Sequence, residues 1–252
     1  MKNPMDMTGK RVLVTGAGSG IGRATAILLS ELGASLVLVG RHAEKLTVTA
    51  ERLATRNVAI EPFDLSKTEE IVEWMRNLAA RHGHLDGLVH SAGIQTFNPL
   101  RTITVKAFER LLTSNTISSA MLIKAMQSRD CGADTASIVM IASTAGILGS
   151  PGNGAYGASK AAIILMVRTF ALELVERGIR LNAVAPAMVE TEMVQRSRDS
   201  TTPEVFKAMV EKHPMGIGQP DDVANAIAFL LSSASRWITG TTLIVDGGLS
   251  VP

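Results

Sequence analysis

Tyr156 is the only tyrosine in 252 residues, and Lys160 follows it four positions later. On a helix, residues i and i+4 share one face, a turn apart. An ammonium placed there stabilises a phenolate and draws the tyrosine pKa down from about 10. A phenol brought toward working pH is a general acid/base. Ser143, thirteen residues before Tyr156, closes the apolar run SIVMIAS. Strand ends on the carboxyl side of a parallel sheet face the ligand crevice. A hydroxyl there can hydrogen-bond a carbonyl or alcohol oxygen. Singly, these are a strand-end serine, an interfacial tyrosine and a solvated lysine. As a set behind a phosphate-binding turn, they describe a proton donor, its activating charge and a group that holds the reacting oxygen.

Such a turn is present. The apolar run RVLVT leads into TGAGSGIG, residues 15–22, and then into the helical stretch RATAILLSEL. Glycines at a strand-to-helix turn let the backbone approach a pyrophosphate, whose charge the helix N-terminus favours. The spacing is G-x-x-x-G-x-G, from Gly16, Gly20 and Gly22, with Ser19 and Ile21 inside it. That differs from the common dinucleotide fingerprint G-x-G-x-x-G. A second run ends at Gly40-Arg41, near the place where an NAD-preferring enzyme carries an acid for the adenosine ribose. No acid occurs at 38–42. Arg41 offers a charge-assisted contact to a 2′-phosphate instead. NADP(H) is therefore expected in preference to NAD(H).

The elements that must position these groups are legible as an alternation. Runs at 11–15, 35–40, 57–63, 87–93, 137–143, 179–186 and 242–248 have the character of strands. They are continuously apolar, as parallel strands covered on both faces are. Helical stretches lie between them at 20–32, 42–55, 67–82, 104–129, 155–177 and 221–233. This order predicts an α/β fold of the Rossmann type: a doubly wound sheet of about seven parallel strands with helices on both faces. No repeat or linker divides the chain, so residues 1–252 are expected to form one domain. The stretch 187–220 breaks the rhythm and is expected to be a lid over a site.

Composition narrows the function classes. Hydrophobic residues make up 46% of the chain and aromatics only 4%, so aliphatic side chains must supply the core. A net charge of +2 with scattered Lys and Arg argues against a nucleic-acid or membrane-surface partner. Cys131 stands alone, which excludes an intrachain disulfide and a multi-thiolate metal site. The five histidines are scattered, and no metal is expected. The opening MKNPMDMTGK lacks a signal-peptide stretch, and no run of about 18 apolar residues suggests a membrane span. A cytoplasmic location is the expectation.

Taken in order, these motifs identify the chain as resembling the short-chain dehydrogenase/reductase family over essentially its whole length. The matching residues are Thr15 through Gly22, Asp64, Ala92-Gly93, Asn115, and Ser143 with Tyr156-Gly-Ala-Ser-Lys160. Further matches are Asn182-Ala-Val-Ala-Pro186, Thr191, GQPDDVA at 218–224 and Val245-Asp-Gly-Gly248. The resemblance implies a fourth catalytic residue, Asn115, which kinks its helix and holds a water in a proton relay through Lys160. It gives Lys160 a second role on the nicotinamide ribose, sets Asp64 and Leu65 around the adenine, and puts Thr191 on the carboxamide. It also assigns Ser91, Ala92, Gly93, Pro186 and Val189 to the cofactor. Three positions depart from the family pattern. His90-Ser91 replaces the usual Asn-Asn, Ala142 replaces a serine while keeping Ser143, and Ala187 replaces the glycine after Pro186.

The implied reaction interconverts a ketone and a secondary alcohol, with hydride from nicotinamide and a proton from Tyr156. Similarity is nearest to the 3-oxoacyl-(acyl-carrier-protein) reductase-like branch. Sugars, steroids and polyketide-like molecules are the alternative substrates, and a non-catalytic NADP(H) sensor is the alternative class. Arg129 and Arg177 flank the region where that branch docks its carrier, although Arg177 lies in ERGIR, a common helix-ending sequence. The substrate pocket is expected from Gln95, Ala145, Ala187, Met188 and the insertion, beside Ser143 and Tyr156. Helices 104–129 and 155–177 are apolar beyond one stripe. In the resembled family they pair across a dyad, which implies a homotetramer.

Overall fold

A computed structural model describes residues 3–251. Seven parallel strands form one sheet in the order β3-β2-β1-β4-β5-β6-β7. They are β1 (Arg11–Thr15), β2 (Ser35–Gly40), β3 (Val58–Pro62), β4 (Leu85–His90), β5 (Gly132–Ile141), β6 (Arg180–Pro186) and β7 (Thr242–Val245). Strand order reverses between β1 and β4, and there Thr15 pairs in register with His90. Crossovers leave to opposite faces at this seam, which opens a crevice beyond the strand ends.

The strands are continuously apolar because their side chains serve two cores alternately. Leu13, Val37, Leu88, Ile138 and Leu181 point into one core. Their neighbours Val12, Leu36, Val89, Val139 and Val184 point into the other. The first core is covered by α3 (Ile71–His82), α5 (Ser118–Gln127) and α6 (Gly154–Leu174), the second by α1 (Gly20–Glu31) and α9 (Pro220–Leu231). Arg180 ties the last strands to α9. Its guanidinium donates to the carbonyls of Leu230, Leu231 and Ser232 at 2.8–3.2 Å, satisfying groups the helix end leaves open.

Several element boundaries differ from the sequence expectation: β7 ends at Val245 rather than 248, and the helix expected at 42–55 is confined to Ala43–Ala50. β4 stops at His90, so Ser91–Gly93 form a turn. β5 begins five residues before the expected 137 and ends at Ile141, so Ser143 stands beyond the strand. The predicted helix 104–129 is α4 (Val105–Leu111), a π-helical segment (Leu112–Ile117) and α5. The insertion 187–220 carries two helices, α7 (Glu192–Asp199) and α8 (Pro203–Glu211). Thr202 caps α8 and Pro203 opens it, a start signal lost among the surrounding polar residues. α2 (Ala43–Ala50) completes the set. No helix among the described residues is long and apolar enough to cross a membrane.

The apolar residues of α5 are largely used within the subunit: Leu122, Ile123 and Met126 are buried in the first core. On α6, Ile163 and Val167 are buried, while Leu165 and Leu172 remain exposed, with Val175 just beyond the helix end.

Candidate active site

The crevice is a cleft of about 1980 Å³ beyond the carboxyl ends of the strands. At one end, β1 turns into α1 through positive-φ glycines at Gly16 (+67°) and Gly20 (+47°). Two close approaches require glycine. A Cβ on Gly16 would stand 2.8 Å from the Ala92 nitrogen, and one on Gly22 would stand 2.3 Å from the Gly16 carbonyl oxygen. Gly18, Ser19, Gly20 and Ile21 line the cleft, whereas Gly22 lies behind them as packing. Arg23 fixes the turn from below, donating to the Gly18 carbonyl and to Thr49 Oγ1 at 3.2 Å. This arrangement leaves backbone amides at a helix N-terminus facing the cleft, the chemistry a dinucleotide pyrophosphate takes.

Further along, Arg41, Asp64 and Leu65 line the adjoining wall. Asp64 lies below its ordinary pKa, held there first by the Ser66 backbone amide and also by the nearby Arg41 guanidinium. Lys45, one turn past Arg41, lines the same wall, with its Cβ 3.0 Å from where a Cβ on Gly18 would be. Sequence reasoning missed Lys45, because Arg41 precedes the helix that carries it and the two share no helical face. Phe63 also lines the wall and stacks on Trp74, the ring centroids 4.2 Å apart.

At the other end, Ser143, Tyr156 and Lys160 converge. Ser143 Oγ accepts from the Ala145 amide at 3.1 Å and so caps the short turn after β5. Lys160 is buried, and its ammonium donates to the Ile141 carbonyl at 2.7 Å. Burial draws its pKa down to about 8. The sequence expectation for Tyr156 is corrected here. Burial raises the phenol pKa, and the Ser143 hydroxyl offsets this only in part. The Lys160 nitrogen sits 5.9 Å from the ring centroid and is directed at Ile141, so desolvation outweighs its field. Tyr156 rests as a protonated phenol.

Asn115 does not line the cleft. It is fully buried in the π-helical segment, where its side chain accepts from the Ile94 amide at 2.9 Å and donates to the Ile94 carbonyl at 3.0 Å. It also donates to Ser159 Oγ at 3.0 Å, on the turn of α6 that carries Lys160. Reaching these partners while Ser119 Oγ takes the Asn115 carbonyl explains the widened turn. Ser91, Ala92 and Gly93 lie on the cleft wall between the two ends.

Gln95, Ala145, Ala187 and Met188 line the cleft, as do Pro186, Val189 and Thr191, the last with its methyl 2.9 Å from where a Cβ on Gly20 would stand. The insertion forms the wall above them. Its two ends are zipped together, Glu190 N donating to the Gly218 carbonyl at 2.8 Å and Gly218 N to Met188 at 3.0 Å. Arg198 joins α7 to α8, pairing with Glu190 at 3.0 Å and lying 4.7 Å over the Phe206 ring. Met193, Met209 and His213 are the residues by which the insertion, expected as part of the pocket, adds to this lining. Their signal was weak, because helices of the insertion had no legible frame.

Arg129 and Arg177 form no open basic patch. Asp134 stands between them, 4.0 Å from the first and 3.8 Å from the second, and Arg177 also donates to the Gln127 carbonyl at 3.1 Å.

Comparison with known proteins agrees with this geometry. The sequence model of a family described as enoyl-(acyl carrier protein) reductase matches residues 16–250. A 3-oxoacyl-(acyl-carrier-protein) reductase of Rickettsia prowazekii is 38% identical over 250 residues, covering 97% of this chain and 98% of its own. The structure of a short-chain type dehydrogenase/reductase from Mycobacterium ulcerans superposes with a TM-score of 0.88 at 30% identity, over 97% of this chain and 90% of that one. The structure of ElxO with NADP bound has a TM-score of 0.84 at 30% identity, over 95% and 98%.

The glycine packing generates a direct test. Gly22→Ala would force its methyl against the Gly16 carbonyl, and overpacking of this kind costs about 1–3 kcal/mol. Titration with NADPH, followed by tryptophan emission, should show affinity weakened by roughly tenfold or more. Unchanged affinity would show that the turn does not hold the cofactor.

Proposed function

The chain belongs to the short-chain dehydrogenase/reductase family, an oxidoreductase acting on CH–OH and C=O groups with a nicotinamide cofactor, and from this we propose that it reduces a ketone to a secondary alcohol using NADPH. The observation that carries the reading is the convergence of Ser143, Tyr156 and Lys160 at one end of a cleft whose other end is the glycine turn. The glycine turn fits a dinucleotide because a methyl at Gly16 or Gly22 would collide with backbone. In this reading Gly16, Ser19, Gly20 and Ile21 seat the pyrophosphate, Asp64 and Leu65 border the adenine, and Thr191 borders the nicotinamide. When bound, the cofactor supplies hydride.

The chain supplies the proton and the orientation. Ser143 holds the carbonyl oxygen, and Tyr156, resting protonated, gives its proton to that oxygen as charge develops there. Lys160 stabilises the phenolate left behind, and Asn115 fixes the turn opposite Lys160. Tyr156→Phe removes the donor while leaving the cleft's shape nearly unchanged. NADPH oxidation should be measured on 3-oxoacyl thioesters, both carrier-bound and free. Turnover should fall about 10²–10⁴-fold while NADPH affinity holds. More than about a tenth of wild-type turnover would exclude Tyr156 as the donor.

A free small ketone is favoured over a carrier-bound one by a single observation. Asp134 pairs with both arginines that flank the carrier-docking region of the resembled branch. Higher efficiency on the carrier-bound thioester in the same assay would reverse that choice.

NADPH is the proposed cofactor because Arg41 and Lys45 line the wall just past β2, whose last residue, Gly40, carries no carboxylate. A charge-assisted hydrogen bond contributes roughly 1.5–3 kcal/mol, or about 10- to 150-fold in affinity. NADPH should therefore exceed NADH by one to two orders of magnitude in kcat/KM, roughly that one contact. Gly40→Asp with Arg41→Ala should reverse the order. The aspartate requires Leu46 to give by a few tenths of an ångström, since a Cβ on Gly40 would stand 3.2 Å from its methyl. Equal efficiencies in the wild type would refute the role of Arg41.

Assembly as a homotetramer belongs to the same reading. The exposed Leu165, Leu172 and Val175 near the end of α6 supply apolar area for a dyad, with α5 contributing less than its composition suggests. Light scattering at micromolar concentration should give four times the subunit mass. A 26.7 kDa species would sink the idea.

A further inference from the structure

His90 occupies the seam between β1 and β4, buried and directly across from Thr15 in the parallel register. Its Nδ1 lies 2.8 Å from Thr15 Oγ1 and its Nε2 lies 3.3 Å from Ser118 Oγ. The protons on this line can be placed by accounting for each donor. Ser118 Oγ donates its proton to the Ser114 carbonyl at 2.7 Å, so toward His90 it can only accept. Nε2 therefore carries the ring proton. Burial, with the Lys160 ammonium nearby, holds His90 far below the ordinary imidazole pKa, at about 3, so the ring is neutral and Nδ1 is bare. Thr15 then donates to Nδ1, which leaves its oxygen to accept the Ala92 amide at 3.2 Å. The chain is complete and runs one way: Ala92 to Thr15 to His90 to Ser118 to the π-helical segment.

This line ends on the turn that borders Lys160. The turn is held at Ala92 through Thr15 and at Ile94 through Asn115. Gly93, between the two anchors, would place a Cβ 3.5 Å from Lys160 Nζ. We propose that His90 is a positioning residue for the cofactor: acting through the Thr15 hydroxyl, it fixes the Ala92 end of the 91–94 turn against Lys160. The proposal rests on the reading of this cleft as a nicotinamide site and adds to it the device that sets one wall.

Three substitutions separate this role from packing. In His90→Asn, the amide oxygen falls where Nδ1 was and still accepts from Thr15, at the cost of volume. In His90→Gln, the amide reaches the Ser118 side instead. His90→Phe fills the space and bonds neither neighbour. NADPH affinity should be titrated by tryptophan emission, with Trp74 stacked on Phe63 of the cleft wall, and melting temperature recorded for each. Affinity in His90→Asn should stay within about threefold of wild type, while Gln and Phe lose about tenfold, the size of one hydrogen bond. Melting temperature should rank otherwise, with Asn lowest because it leaves the largest void. Thr15→Val should match the affinity loss of His90→Phe, and the double variant should lose no more than either.

Affinities that follow melting temperature across the series would overturn the proposal. So would ¹⁵N spectra of the wild type showing the His90 proton on Nδ1, a measurement that needs no variant to fold. Wild-type protein binding neither NADPH nor NADH would overturn the cofactor reading and this inference together, whereas normal wild-type binding with unaffected variants overturns this inference alone.

Discussion

A buried ammonium is costly unless it is paired and hydrogen-bonded, and among the described residues no carboxylate pairs with Lys160; its nitrogen donates to the Ile141 carbonyl. Much of the site follows from keeping that charge at the strand ends. β5 stops at Ile141, and the carbonyl of that last residue accepts from the lysine. α6 then starts close behind, Gly157 allowing its first turn within 2.6 Å of the Ala145 carbonyl, measured from where a Cβ would stand. The phenol of Tyr156 is carried along on the same helix and is desolvated by the same packing. The lowered lysine pKa and the raised tyrosine pKa therefore have one cause, burial, acting in opposite directions on a cation and an acid.

The second constraint is the defect in the helix that follows β4. An ideal α-helix would direct the Asn115 side chain along its own surface. The π-helical turn instead lets it reach both backbone groups of Ile94 and the Ser159 hydroxyl. Three segments distant in sequence are locked at one residue, and Thr116 Oγ1 adds a bond to the Ser159 carbonyl at 3.0 Å. A local loss of helical regularity is thereby exchanged for a rigid wall. Such exchanges concentrate at functional sites, where precise placement matters more than the regularity of one element.

The sheet and the chemistry-bearing residues were legible because their signals are local. Continuous apolar runs give parallel strands, the glycine spacing gives the turn, and Tyr156 with Lys160 share a helix face. What stayed hidden depends on tertiary context. The composition of LTSNTI does not mark a π-helical turn, and the kink at Asn115 was expected only through the family resemblance, since its cause is Ile94, about twenty residues away in sequence. The extended start of β5 was lost because Gly132 and Asp134 lack strand character, yet Gly132 pairs with Leu85 of β4 ahead of an irregularity in the register. The direction of the Tyr156 shift was misjudged because spacing on a helix specifies distance, not desolvation. The insertion was unreadable for the opposite reason: its two helices are short and polar, and its ends are joined to each other by backbone bonds no composition reveals.

The two ends of the cleft also differ in how tightly they are specified. The cofactor end is built from backbone and from residues whose replacement by anything with a Cβ meets main-chain atoms, so its shape tolerates little change. The substrate end is lined by methionines of the insertion, by Ala145 and by Ala187, side chains that can repack around ligands of different outline. Their wall is held by Arg198, one guanidinium bridging Glu190 and Phe206 across both helices. A cofactor seat of fixed shape and a substrate wall of adaptable groups, with Ser143, Tyr156 and Lys160 beside that wall, follow from this division.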